Sequence, residues 1–158
     1  MTTKIRLGKV SVERILDEDP DLSYLGEYTD HPVQTTHSYI IDRETYSGSF
    51  VERGQYHFFV AENVENEKEA IQNYDRMESY NNQQWCCIGI KAKAEILIPD
   101  GSGDYVRQTI TSGGLWGIES DSDKSYLEQV ENEELDNLRL ELKVLGVTMP
   151  KNVEVERE

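Results

Sequence analysis

The sequence predicts an α+β fold: an antiparallel β-sheet with one long and one shorter helix packed on it as a two-layer sandwich. Three stretches carry that prediction. Ser112 to Gly146, SGGLWGIESDSDKSYLEQVENEELDNLRLELKVLG, reads as a glycine-and-tryptophan turn feeding a long acidic helix. Trp85 to Ile98 is the longest run of strand alternation, and the turn Pro99-Asp100-Gly101-Ser102-Gly103 sends it back antiparallel as Tyr105 to Thr111. Asn66 followed by Glu69 is a variant of the capping box and opens the shorter helix.

Each element has its own justification. Lys4 to Val12 alternates around Gly8, as one modest strand or two short ones meeting at a bulge. Glu13 to Asp30 is an acidic connection anchored by Leu22, Tyr24, Leu25 and Tyr28. Val33 to Arg43 places Val33, Thr35, His37, Tyr39 and Ile41 on one strand face. A turn at Ser47-Gly48-Ser49 then leads through Phe50 to a strand from Tyr56 to Ala61. Ala70, Ile71, Tyr74 and Met77 form the apolar face of the shorter helix.

In the long strand Cys86, Ile88, Ile90, Ala92, Ala94, Ile96 and Ile98 share a face, and both helices are expected to pack there. Adjacent Cys86 and Cys87 then point to opposite sides and stay unbridged, as in a reducing cytosol. The long helix is capped by Ser120 or Ser122 and ends at Gly146 before Pro150. Its apolar stripe is Leu127, Val130, Leu135, Leu138, Leu142 and Leu145, and Glu131 and Glu134 fall inside that stripe. A carboxylate buried there needs a cation or hydrogen bonds, unless it overhangs the sheet or faces a partner. The expected organisation is one domain over residues 1–150 with a polar, frayed tail over 151–158.

Charge narrows the function. Thirty-one acidic and 16 basic residues leave a net charge of −15. That balance disfavours direct nucleic-acid and membrane binding and favours a protein partner with a basic surface. The opening MTTKIRLGKV lacks an apolar signal segment, so a cytoplasmic location is expected.

The chemical motifs are weak. His37 and His57 could meet across neighbouring strands for acid–base or metal chemistry, but no spaced ligand set accompanies them. Glu119, Asp121 and Asp123 alternate like cation ligands, yet Tyr126 and Asn132 occupy the positions where an EF-hand needs glycine and glutamate. Thr111-Ser112-Gly113-Gly114 lacks the Gly-Lys-Ser/Thr ending of a phosphate loop. No cofactor or metal is expected. Trp116 is either a core plug or an aromatic anchor at an interface.

The segment TSGGLWGIESDSDKSYLEQVENEELDNLRLELKVLG, with the upstream YDRMESYNNQQWCCIGIKAKAEI, resembles uncharacterised small proteins of bacteriophages and mobile elements. The resemblance covers residues 74 to 146 and brings no catalytic residues with it.

These readings favour a non-enzymatic acidic interaction protein. In its sharper form it inhibits a host nucleic-acid-binding defence protein, restriction or CRISPR-type, with carboxylates standing in for phosphates. Its partner-binding residues would be Trp116, Glu119, Asp121, Asp123, Glu128, Glu131, Glu133, Glu134 and Asp136. Two other readings stay open: a small hydrolase or metal-dependent enzyme built on His37, His57 and the acidic cluster, and a small-ligand-binding accessory protein.

Overall fold

In the computed structural model, which describes residues 4–48 and 54–158, the chain is α+β and forms two compact units. The first joins residues up to Pro20 to Cys86–Glu158, and the second is Asp21–Trp85. Each unit has its own sheet and its own principal helix.

The first unit is organised around strand β5, Cys87–Pro99. On one edge it pairs antiparallel with β1, Arg6–Leu16. On the other edge Lys93–Pro99 pairs with β6, Tyr105–Thr111, so the expected hairpin forms. The lower half of that same edge, Cys87–Ile90, takes a further strand, β7, Leu115–Glu119. The glycine-and-tryptophan stretch is therefore a strand as well as a turn. β1 shifts register between Leu7 and Val10, the bulge expected near Gly8, but it continues to Leu16 through residues read as a loop.

The tail is not frayed. Val155–Arg157 forms β8, parallel to β1 and pairing Val10 with Val155. Two ion pairs hold it on the outer face: Lys9 meets Glu156 at 2.7 Å, and Lys93 meets Glu158 at 2.9 Å. The hydrogen bonds to Glu156 and Glu158 raise the pKa values of Lys9 and Lys93 above the ordinary lysine value. Lys93 in turn lowers the carboxyl of Glu158. The contribution of Glu158 is thus present above the ordinary carboxylate range and disappears as pH falls through its depressed value. The lysine contributions disappear only as pH rises through their raised values. On acidification, NMR signals of Val155–Arg157 should move towards coil positions before those of the helix core. Simultaneous loss of both would show that these pairs do not hold β8.

Helix α3, Lys124–Val144, covers the apolar face of this sheet. Its core is Leu138 and Leu142 against Val10, Val12, Ala92, Ala94 and Ile96, and Leu127 and Val130 against Ile88, Ile90 and Ile118. Leu135 is only half-buried and Leu145 is exposed. The N-cap is Asp123, one residue beyond Ser122 and three beyond Ser120, the expected caps. Those serines have other duties: Ser122 Oγ donates to the Glu119 carbonyl, and Ser120 Oγ accepts from Cys86 N–H. At the far end Gly146, at φ 76°, donates to Lys143 O while Val147 N–H reaches back to Leu142 O. This is a Schellman closure, and buried Val147 joins Leu142 in the core. Cys86 and Cys87 are not bridged to each other, as expected.

The second unit has a three-stranded sheet ordered β2, Gly26–Thr29, then β4, Phe58–Glu62, then β3, Ser38–Asp42. Between β3 and β4 lies the short helix α1, Arg43–Ser47. The strand expected from Val33 begins only at Ser38, and Val33 itself is exposed. Ser49 and Phe50, read as part of a turn and its exit, lie outside the described residues. Helix α2, Glu67–Asn81, begins where the capping pattern placed it, with Asn66 accepting from Glu69 N–H. It packs on β3 and β4, not on the long strand. The reason is that these strands supply an apolar face of their own: Phe59 is fully buried and its ring meets Tyr74 of α2 at 5.4 Å.

Candidate functional site

Glu131 and Glu134 decide what the acidic helix can offer at its surface. Both sit on the buried side of α3, at 2% and 4% exposure. Arg14, from the end of β1, reaches Glu131 Oε1 through Nη2 at 2.7 Å and Nε at 3.2 Å. Arg157, from β8, forms an ion pair with Glu131 Oε2. The arginine side chains stay 45% and 61% exposed, so the carboxylate alone is taken from water. Two strands distant in sequence thereby hold one helix position, at the edge of a shallow cavity of about 210 Å³.

Glu134 has a different partner set. Ser112 stands where β6 gives way to β7 along β5, and its hydroxyl accepts the Ala92 N–H at 2.9 Å. The same hydroxyl donates to Glu134 Oε1 at 3.1 Å, and Asn137 Nδ2 donates to Oε2 at 2.9 Å. The carboxylate therefore orients the serine that covers a gap in the sheet ladder. Ser112→Ala would leave both the amide and the carboxylate oxygen short of a partner, costing about 1–3 kcal/mol. Chemical denaturation checks it, and a loss near zero would mean water replaces the hydroxyl.

Buried and held by these partners, Glu131 and Glu134 are withdrawn from the surface on which they were expected to meet a partner. The accessible acids are those at the mouth of α3 and along its outer side. Asp121, Asp123, Glu128, Glu133 and Asp136 are exposed, and Glu119 is half-buried at the end of β7. Glu128, Glu133 and Asp136 span roughly 12 Å of helix axis. Their internal partners are local: Lys124 to Glu128 at 3.9 Å, Gln129 to Glu133 at 3.0 Å, and Arg139 to Asp136 at 2.6 Å. Exposed pairs one turn apart contribute about 0.3–0.5 kcal/mol, so stronger external cations can replace them.

Trp116 is neither a core plug nor fully free. It is 47% exposed, on the face of the sheet opposite α3. A register shift between Ile88 and Ile90 sets Trp116 and Gly117 opposite Gly89, and Gly117 has φ 73°. The indole lies against Gly89 so closely that a Cβ there would stand 2.2 Å from Cε3.

His37 and His57 do not meet. In the β3–β4 register Ser38 faces Glu62 and Asp42 faces Phe58, so the two histidines flank opposite ends of the pair. Antiparallel pairing separates them, because they precede strands that run in opposite directions. His57 Nδ1 lies 3.7 Å from Glu44, and among the described residues no His, Cys, Asp and Glu group suited to a metal occurs. No described helix is long and apolar enough to cross a membrane. A glutamate inside an apolar stripe calls for a strand Lys or Arg to reach it, and Glu131 has two such partners; which strand residues they are, Arg14 and Arg157, is not legible in the sequence.

No family model matches this chain, and no curated protein or solved structure shows significant similarity to it.

Proposed function

We propose that the chain is a non-enzymatic acidic interaction protein of the phage or mobile-element kind, in keeping with the resemblance of residues 74 to 146. Its outer α3 surface and the mouth of that helix engage a basic groove on a protein that binds nucleic acid. A host defence complex of the restriction or CRISPR type is the partner class this reading names. The observation that carries it is the sorting of carboxylates on α3. The two acids on the buried side have dedicated partners, whereas Glu128, Glu133 and Asp136 remain in solvent beside Asp121 and Asp123. Glu133 and Asp136, three residues apart, stand about 5–6 Å from each other, a spacing at which a groove built for phosphates can accept them.

The test is capture of partners from host lysate on the immobilised protein, with washes of rising salt. A nucleic-acid-binding protein that elutes with salt, and that its own nucleic acid displaces, supports the proposal. Partners held only through apolar contacts, indifferent to salt, would contradict it.

A further inference from the structure

The two tryptophans are treated very differently. Trp85, in the second unit, is 5% exposed, donates its Nε1–H to Arg76 O at 2.9 Å, and lies under the Arg76 guanidinium at 3.8 Å from the ring centroid. Every part of that indole is used internally. Trp116, in the first unit, is 47% exposed, and among the described residues no guanidinium stacks on it and no acceptor meets its Nε1–H.

Trp116 has the stem of Lys91 near its Nε1 edge, across Gly114, and the ammonium of that lysine is paired with Glu13 at 3.4 Å; carboxylates border the indole elsewhere. Asp17 Oδ2 accepts the N–H of Gly117 at 3.1 Å, which sets that carboxylate beside the residue following the indole. Ile118 is buried towards α3, so strand alternation turns Glu119 to the outer face that Trp116 shares. The carboxylate oxygens of Asp17 keep acceptor capacity beyond the backbone bonds they make. An aromatic face bordered by carboxylates suits a planar cation, which can stack on the ring and donate at its edge. A lysine ammonium gains less there, because it is a compact and strongly hydrated point charge. The close fit on Gly89 holds the ring in place before any ligand arrives, which lowers the ordering cost of binding.

We propose that Trp116, with Asp17 and Glu119 beside it, receives an arginine side chain from a basic protein partner. The inference rests on the reading of the chain as an acidic interaction protein, and it adds a specific anchor to that reading.

The test uses two peptides of equal length, an Arg-Gly repeat and its Lys-Gly counterpart, titrated against the full chain at physiological ionic strength. Tryptophan emission reports binding, with buried Trp85 as a constant background, and calorimetry gives the affinity. The arginine peptide should bind about two- to fivefold more tightly, the preference expected of an exposed cation–π contact. Trp116→Leu should abolish that preference, and so should Gly89→Ala, which displaces the ring without removing it. Equal binding of the two peptides, a preference that survives both variants, or no saturable binding by either would overturn the proposal. Salt-dependent binding without an arginine preference, lost on neutralising Glu128, Glu133 and Asp136, would overturn the Trp116 anchor alone. Binding indifferent to salt and to those acids would sink the underlying reading instead.

Discussion

Removing both Arg14 and Arg157 should destabilise the protein by about 3–5 kcal/mol, the cost of leaving a buried carboxylate without a cation. Each single alanine variant should lose less, since the remaining guanidinium still faces one oxygen of Glu131. Glu131→Leu should behave in the opposite way. It extends the apolar stripe of α3, and the freed arginines, already half in solvent, can turn outward. That variant should lie within about 1 kcal/mol of the parent, because replacing a buried ion with packed hydrocarbon is often neutral or better. Chemical denaturation of the four proteins separates the cases. If Glu131→Leu costs as much as the double arginine variant, the pair stabilises the fold in its own right instead of rescuing an awkwardly placed acid.

Ile90→Ala should cost about 2–5 kcal/mol. Ile90 is fully buried, and it packs with Leu127 and Val130 of α3 and Ile118 of β7. Truncation leaves a cavity where helix, β5 and β7 meet, and the backbone there is pinned by ladders on both edges of β5. Little collapse is therefore available to fill it, which favours the upper half of the range. The measurement is the denaturation midpoint with an unchanged denaturant slope. A loss below about 1 kcal/mol would mean that the helix settles into the space.

How legible each part was depends on where its determinants lie. The stop of α3 was readable because it is local: Gly146 supplies the left-handed residue and Pro150 follows. The β5–β6 hairpin was readable for the same reason, from alternation interrupted by one turn cluster. β7 was hidden because Gly114 and Gly117, which permit its bulge over Gly89, look like loop residues in isolation. β8 was hidden more deeply. Val155 and Arg157 become a strand only because β1 offers an edge and Glu131 offers an anion, and both lie far away in sequence. The separate sheet under α2 is hard to read because its strands are short and β2 pairs with β4 instead of with β3, the next strand in order. Of the candidate site, the outer acids of α3 followed from the helical wheel. The withdrawal of Glu131 and Glu134 did not, since it depends on which side chains arrive from the strands.

The central claim is that the outer acids of α3 act through charge on a basic partner, and the association rate as a function of salt tests it most directly. With the partner captured from lysate, the rate for the parent chain should fall steeply as salt rises, because charges in solvent are screened within about 8 Å at physiological ionic strength. The variant carrying Glu128→Gln, Glu133→Gln and Asp136→Asn should associate slowly at low salt and respond little to added salt, while unfolding like the parent. Parent and variant associating at the same rate, with the same weak response to salt, would contradict the claim.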